Sequence, residues 1–221
     1  MTDILYEWPT AARFGARIPK ERFYERTANS SALREKFVSE VQRITWMYKL
    51  AEATINLPSS AEVPEIEILR LEPKGSDVSG SVLVAIDKAI PNPVIFEIHR
   101  MDRDSPSVRM VAAHKIVRSA APRPSAYFST GWMPADTCRT AMPIAITLPA
   151  LYSALVTSLT NITSRPGEDP SEVAGRLDAV RKLEREISTL ERKLRTEPQL
   201  NRKIELRRTL TECQAALMAL V

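Results

Sequence analysis

Of 221 residues only two are cysteine, Cys138 and Cys213, and only two are histidine, His99 and His114. Two thiols cannot build a disulfide framework, and such sparing use fits a reducing cytoplasm. Glycine is scarce as well, at six residues. Loops that cradle phosphates need glycines at fixed spacing so that backbone can approach the ligand. Gly15, Gly75, Gly80, Gly131, Gly167 and Gly175 match neither the dinucleotide nor the P-loop pattern, so ATP-driven or nicotinamide-dependent chemistry in those folds is not expected. The sequence has no GxSxG elbow, no HExxH and no cysteine pair at zinc spacing. No run approaches the ~18–20 apolar residues of a membrane span. Met1 to Trp8 carries acidic residues and no apolar core, so no secretory signal is expected.

What remains is an ordinary globular balance, 44% apolar and 26% charged, with a formal charge of +4. Residues 1–29 read as an N-terminal arm. It contains Tyr6, Trp8, Phe14, Phe23 and Tyr24, an aromatic content that points to packing. From Ser30 or Ser31 the apolar residues Leu33, Phe37, Val41, Ile44 and Tyr48 recur at steps of three and four. That spacing predicts one helix running to about Asn56. Pro64 to Leu71 begins with strict alternation and reads as a strand, Gly75 to Gly80 as a turn, and Val82 to Ile90 as a short helix stopped by Pro91 and Pro93. Pro93 to Arg100 is the best strand pattern. With Val108 to Val117 it is expected to form an antiparallel hairpin, and Ala126 to Trp132 is a third candidate. Leu148 to Ile162 reads as a helix.

After Arg165-Pro166-Gly167 the pattern changes. Val180, Leu183, Ile187, Leu190 and Leu194 follow a coiled-coil seam, continued by Leu206, Leu210, Cys213, Leu217 and Leu220. Thr196 and Gln199 have capping-box spacing around Pro198. The expected fold class is therefore α+β, a small mainly antiparallel sheet with flanking helices, followed by a C-terminal antiparallel αα-hairpin. The expected organisation is an arm over 1–29, an α+β domain over 30–163, a linker over 164–170 and a helical hairpin over 171–221.

Few residues suggest chemistry. Asp87, Glu97 and His99 faintly resemble the carboxylate set of restriction-type nucleases, where acids hold a divalent metal and a cation stabilises developing charge. The lysine of that pattern is missing, and Asp87 falls in a helical pattern instead of a partner strand. His114 in an apolar strand reads as structural, Cys138 as a loop thiol and Cys213 as seam. Arg192, Lys193, Arg195, Arg202 and Lys203 cluster around the bend of the hairpin, where they can meet DNA or RNA phosphates or an acidic protein surface. The surplus of basic residues is otherwise diffuse: three in residues 1–50, none in 51–165 and one in 166–221.

Several segments together resemble the domain-of-unknown-function family numbered 4391. They are Arg17 to Glu25, Ile44 to Leu50 with Thr54 to Leu57, Val82 to Pro91, Pro93 to Ile98, and Gln199 to Leu206. Leu200 stands where that family usually has an aromatic residue. Genes of the family typically neighbour restriction-type or Swi/Snf-like helicases and a DNA methyltransferase. The resemblance thus implies a cytoplasmic accessory subunit of a bacterial DNA-modification or phage-defence cluster, with no activity or catalytic residue to carry over. The leading expectation is a non-enzymatic protein whose hairpin docks a helicase or methyltransferase, with no cofactor, no metal and no membrane partner. Direct nucleic-acid binding by the hairpin tip, and a metal-dependent nuclease, are the alternatives. The leucine seam also allows self-association.

Overall fold

A computed structural model describes residues 4–24, 31–102, 105–115, 124–159 and 170–220. The chain forms two compact units, Met1–Thr160 and Asn161–Val221. Among the described residues, no helix is long and apolar enough to cross a membrane.

The first unit is built on a mixed seven-stranded sheet. A 3₁₀ turn at Thr10–Ala12 leads into β1 (Arg13–Arg17), followed by α1 (Glu21–Tyr24), α2 (Ser31–Glu40), β2 (Val41–Ala51) and α3 (Glu52–Ile55). Then come β3 (Glu65–Pro73), α4 (Gly80–Ala89), β4 (Val94–Asp102), β5 (Ser105–Lys115), β6 (Pro124–Ser129), β7 (Met133–Pro134) and α5 (Leu148–Ser158). The strand order is β1-β2-β3-β4-β5-β6, with β7 also on β5. Among the described strands every pairing is antiparallel except β3 with β4, whose crossover is α4.

The long helix expected from residue 30 to about Asn56 does not form. It stops at Glu40, and Val41–Ala51 is a strand between β1 and β3. The register of β2 on β3 shifts between Val41 and Arg43 and again between Trp46 and Tyr48. A bulge inserts an extra residue and breaks strict alternation, so Val41 and Ile44, three apart, both enter the same core. That three-residue step imitates a helix. The β-branched and aromatic residues of the segment fit the pleated surface better. Asn56 does end a helix, the short α3, with a left-handed φ of 55°.

One face of the sheet packs against α4. Val82, Leu83 and Ile86 meet Leu69, Leu71, Phe96 and Ile98, with Phe23 and Phe37 from α1 and α2 closing the cluster. Side chains alternate along a strand, so Ile95, Glu97 and His99 project to the other face. Residues of the expected arm belong to this unit: β1 pairs with β2, and Leu5, Tyr6 and Trp8 are buried. Helix α5 packs on β3 and β5. The Tyr152 hydroxyl donates to the Ala113 carbonyl, and the Thr147 side chain caps the first turn.

In the second unit α6 (Pro170–Thr196) and α7 (Leu200–Leu220) pack together. Arg176 Nη1 donates to the Leu220 carbonyl at 2.9 Å, so the start of α6 lies beside the end of α7 and the pair is antiparallel. Val180 and Leu190 are buried, and Leu206, Leu210, Cys213 and Leu217 are half-buried along the seam. The cap at the bend differs from the expected one. Thr196 Oγ1 turns back to the Arg192 and Lys193 carbonyls, and Glu197 Oε1 accepts the Gln199 N–H at 3.1 Å. Most of the expected linker, Ile162 and Val117 lie outside the described residues.

Candidate functional site

The three nuclease-like candidates divide between the two faces of the sheet. Glu97 is buried on β4 on the face away from α4. Its Oε1 accepts from Trp8 Nε1 at 2.6 Å and Arg139 Nη1 at 2.7 Å. Its Oε2 accepts from Arg139 Nη2 at 3.1 Å and meets His99 Nε2 at 3.0 Å. Burial pushes this carboxyl up, but the hydrogen bonds from His99, Arg139 and Trp8, with the Arg139 charge, outweigh it and hold the pKa at about 2. Both oxygens are engaged, and the group ties the N-terminal segment and the Arg139 loop to the sheet.

Asp87 sits on α4 instead, buried with Lys115. Lys115 Nζ lies 3.1 Å from Asp87 Oδ1 and donates to the carbonyls of Asp87, Ile90 and Asn92, while Tyr127 Oη donates to Asp87 Oδ2 at 2.9 Å. Burial raises the Asp87 carboxyl, against the pull of Lys115 and Tyr127. Asp87 therefore does not join Glu97 and His99. Among the described residues no three His, Cys, Asp or Glu side chains are grouped as a metal ion needs. The strand that carries His114 is described, but its side chain is not. Cys138 is exposed, and Cys213 is half-buried on the helix seam.

A cavity of about 1130 Å³ opens in the first unit on the α4 side of the sheet. Phe23 of α1, Leu33 of α2, Trp46 of β2, and Val84, Ala85 and Ile90 around α4 make apolar walls. Glu65 and Glu67 project from β3 on the same side as Leu69 and Leu71, and Asn92 lies beside them. Asn92 Nδ2 donates to Glu65 Oε1 at 2.5 Å and to Glu67 Oε1 at 3.0 Å. Lys49 pairs with the other Glu65 oxygen. Glu67 is only 3% exposed, and burial lifts its pKa to about 7, with the Asn92 hydrogen bond opposing the rise. Exposed Arg22 and Lys88 also line the cavity.

At the bend of the second unit Arg192, Lys193 and Arg195 stand in the last turns of α6, and Arg202 and Lys203 in the first turn of α7. Four are exposed and Lys203 is half-buried. None makes an ion pair among the described residues. Cations near a helix C-terminus complement its dipole, whereas cations in a first turn oppose it. Arg202 and Lys203 are therefore not placed there for the sake of α7.

A family model for a domain of unknown function (DUF4391) matches residues 7–217. The chain belongs to that family. The match takes in the strands, α4, the cavity residues and the helical bend alike. No curated protein matches the chain, and no solved structure does.

Sequence reasoning singled out the cations of the bend but missed Glu67, Asn92, Arg139 and Lys115. In Glu65-Ile66-Glu67-Ile68 the carboxylates alternate with isoleucines, the pattern of a strand with one wet face. Here both faces are covered, and the charged residues sit inside. The one available signal was Pro91-Asn92-Pro93, a turn held between prolines next to the best strand.

Proposed function

We propose that this protein is a cytoplasmic, non-enzymatic accessory subunit of a bacterial DNA-modification or phage-defence system, docking a helicase or DNA methyltransferase of its own gene cluster through the α6–α7 bend. The observation that carries this reading is the set of five cations there, without ion-pair partners among the described residues, two of them set against the dipole of α7. An acidic surface on a partner would complement them and steer its approach. The engaged state of Glu97 and Asp87 favours an interaction role over catalysis by those groups. The gene neighbourhood implied by the family resemblance supplies the class of partner.

The same cations support a second reading, in which the bend contacts DNA or RNA phosphates directly. The two readings separate in one experiment. A tagged chain expressed within its native cluster is purified with and without nuclease treatment, alongside a form lacking residues 166–221. Recovery of the helicase or methyltransferase with the full chain, resistant to nuclease and lost in the shortened form, supports docking. Recovery that nuclease abolishes supports nucleic-acid binding. Undiminished recovery with the shortened form contradicts both.

A further inference from the structure

The cavity of the first unit has a polarity that selects its occupant. Glu67 is 3% exposed, its Oε1 takes the Asn92 amide at 3.0 Å, and Oε2 takes no hydrogen bond from the described residues. Glu67 lines the cavity, and Oε2 is not among the fully buried polar atoms without partners. The free oxygen therefore opens into the cavity. Neighbouring cations are committed elsewhere, Lys49 to Glu65 and Lys115 to Asp87. Both hydrogens of the Asn92 amide are already given to the two glutamates. The inner end thus offers an acceptor and wants an N–H donor.

The outer end has the opposite sign. Arg22 on α1 and Lys88 on α4 are exposed, line the same cavity and make no ion pair among the described residues. Between the two ends the walls are apolar and aromatic, with Phe23 and the half-buried Trp46. A lysine side chain or a simple amine would satisfy Glu67 but would have to lie between two cations. A fatty acid would satisfy the cations but bring nothing for Glu67. A flat ring bearing an amino group, joined to an anion, satisfies all three zones.

We propose that this cavity is a nucleotide site, in which an amino-bearing base enters beside Trp46 and donates to Glu67 Oε2 while its phosphate is held by Arg22 and Lys88. Aromatic side chains stack on any base face, and a carboxylate accepts from an exocyclic amine such as N4 of cytosine. Where Glu67 is ionised, as at pH 8, uracil and thymine are disfavoured, because a carbonyl oxygen replaces that amine and meets the carboxylate. The site needs no glycine loop, since cationic side chains hold the phosphate. The volume of about 1130 Å³ accommodates a mononucleotide. A free nucleotide and an unstacked nucleotide of a single strand present the same chemistry.

The test is calorimetric titration of the full chain at pH 8 with AMP, CMP, GMP and UMP, with the corresponding nucleosides, and with short oligodeoxyadenosine, oligodeoxycytidine, oligodeoxyguanosine and oligothymidine strands. At least one of the three amino-bearing nucleotides is expected to bind, and UMP to bind about tenfold more weakly. Glu67→Gln, which keeps the shape of the side chain, is expected to weaken that nucleotide about tenfold and to narrow its advantage over UMP. Replacing Arg22 and Lys88 by alanine is expected to weaken that nucleotide but not its nucleoside. Tighter binding of the homopolymer of that base than of the nucleotide identifies a strand as the source, and equal or weaker binding a free nucleotide. Absence of binding by AMP, CMP and GMP up to about 1 mM, equal binding of UMP, or indifference to Glu67→Gln in a folded variant overturns the assignment. Tighter binding of hexylammonium than of any nucleotide overturns it too.

Discussion

Arg139 meets Glu97 through both terminal nitrogens, Nη1 to Oε1 at 2.7 Å and Nη2 to Oε2 at 3.1 Å, across 42 residues of chain. Such a bidentate pair fixes both the distance and the plane of the guanidinium. Arg139 Nη1 also donates to the Tyr6 carbonyl at 2.6 Å, so one side chain joins three segments.

Arg139→Met is expected to destabilise the first unit by about 2–3 kcal/mol. The substitution leaves a buried carboxylate without its counter-charge, and the partial exposure of Arg139 keeps the loss below the ~3–5 kcal/mol of a fully buried pair. The double variant Glu97→Gln, Arg139→Met is expected to recover most of that loss, since no charge is then stranded. Urea denaturation of the two variants measures the difference.

Stability is expected to depend on pH in two opposite windows. Glu97 is held at about 2 in the fold, against an ordinary value of 4.5. Its contribution, about 3 kcal/mol, is present above pH 4.5 and is lost as pH falls toward 2. Glu67 runs the other way, from 4.5 up to about 7. Its protonated form favours the fold, so a similar amount is present below pH 4.5 and lost as pH rises through 7. Asp87, also raised, acts in the same direction. Thermal melting of Glu67→Gln is therefore expected to exceed that of the natural sequence at pH 8 and to match it near pH 4.5. A lower melting temperature at pH 8 would contradict the burial of an unpaired carboxylate.

Lys115 is the most enclosed cation described, with no side-chain exposure. Its ammonium collects carbonyls at the end of α4 and in the following turn, as a cap would, and also faces Asp87. Lys115→Met is expected to cost about 3–5 kcal/mol, because both the carboxylate and the carbonyls lose their donor. Adding Asp87→Asn is expected to restore part of this. Amide exchange at Leu83 to Asp87 reports whether the loss is local to α4.

Much of this architecture follows from local patterns. Strand β4, the crossover helix α4 and the antiparallel helix pair each carry an uninterrupted period, of two or of about three and a half. The patterns fail where the backbone breaks its own period. β2 looks helical because two bulges lie within it, and β1 bends at Gly15, whose φ is 73°, between Arg13 and Ala16. The cations of the bend were legible because they are neighbours along two helices that meet. The cavity was not, because its residues run from Ile18 to Asn92 and converge only through the sheet. A buried glutamate such as Glu67 looks the same in sequence as one facing water.

The central claim, that the five cations of the α6–α7 bend dock a partner, is tested most directly by the affinity of the purified chain for the helicase or methyltransferase recovered with it. The measurement compares the natural sequence with a variant carrying Arg192→Ala, Lys193→Ala, Arg195→Ala, Arg202→Ala and Lys203→Ala. The expected result is a loss of at least about tenfold, with a weaker salt dependence and an unchanged melting temperature. Equal affinity and equal salt dependence in the two proteins would contradict the claim.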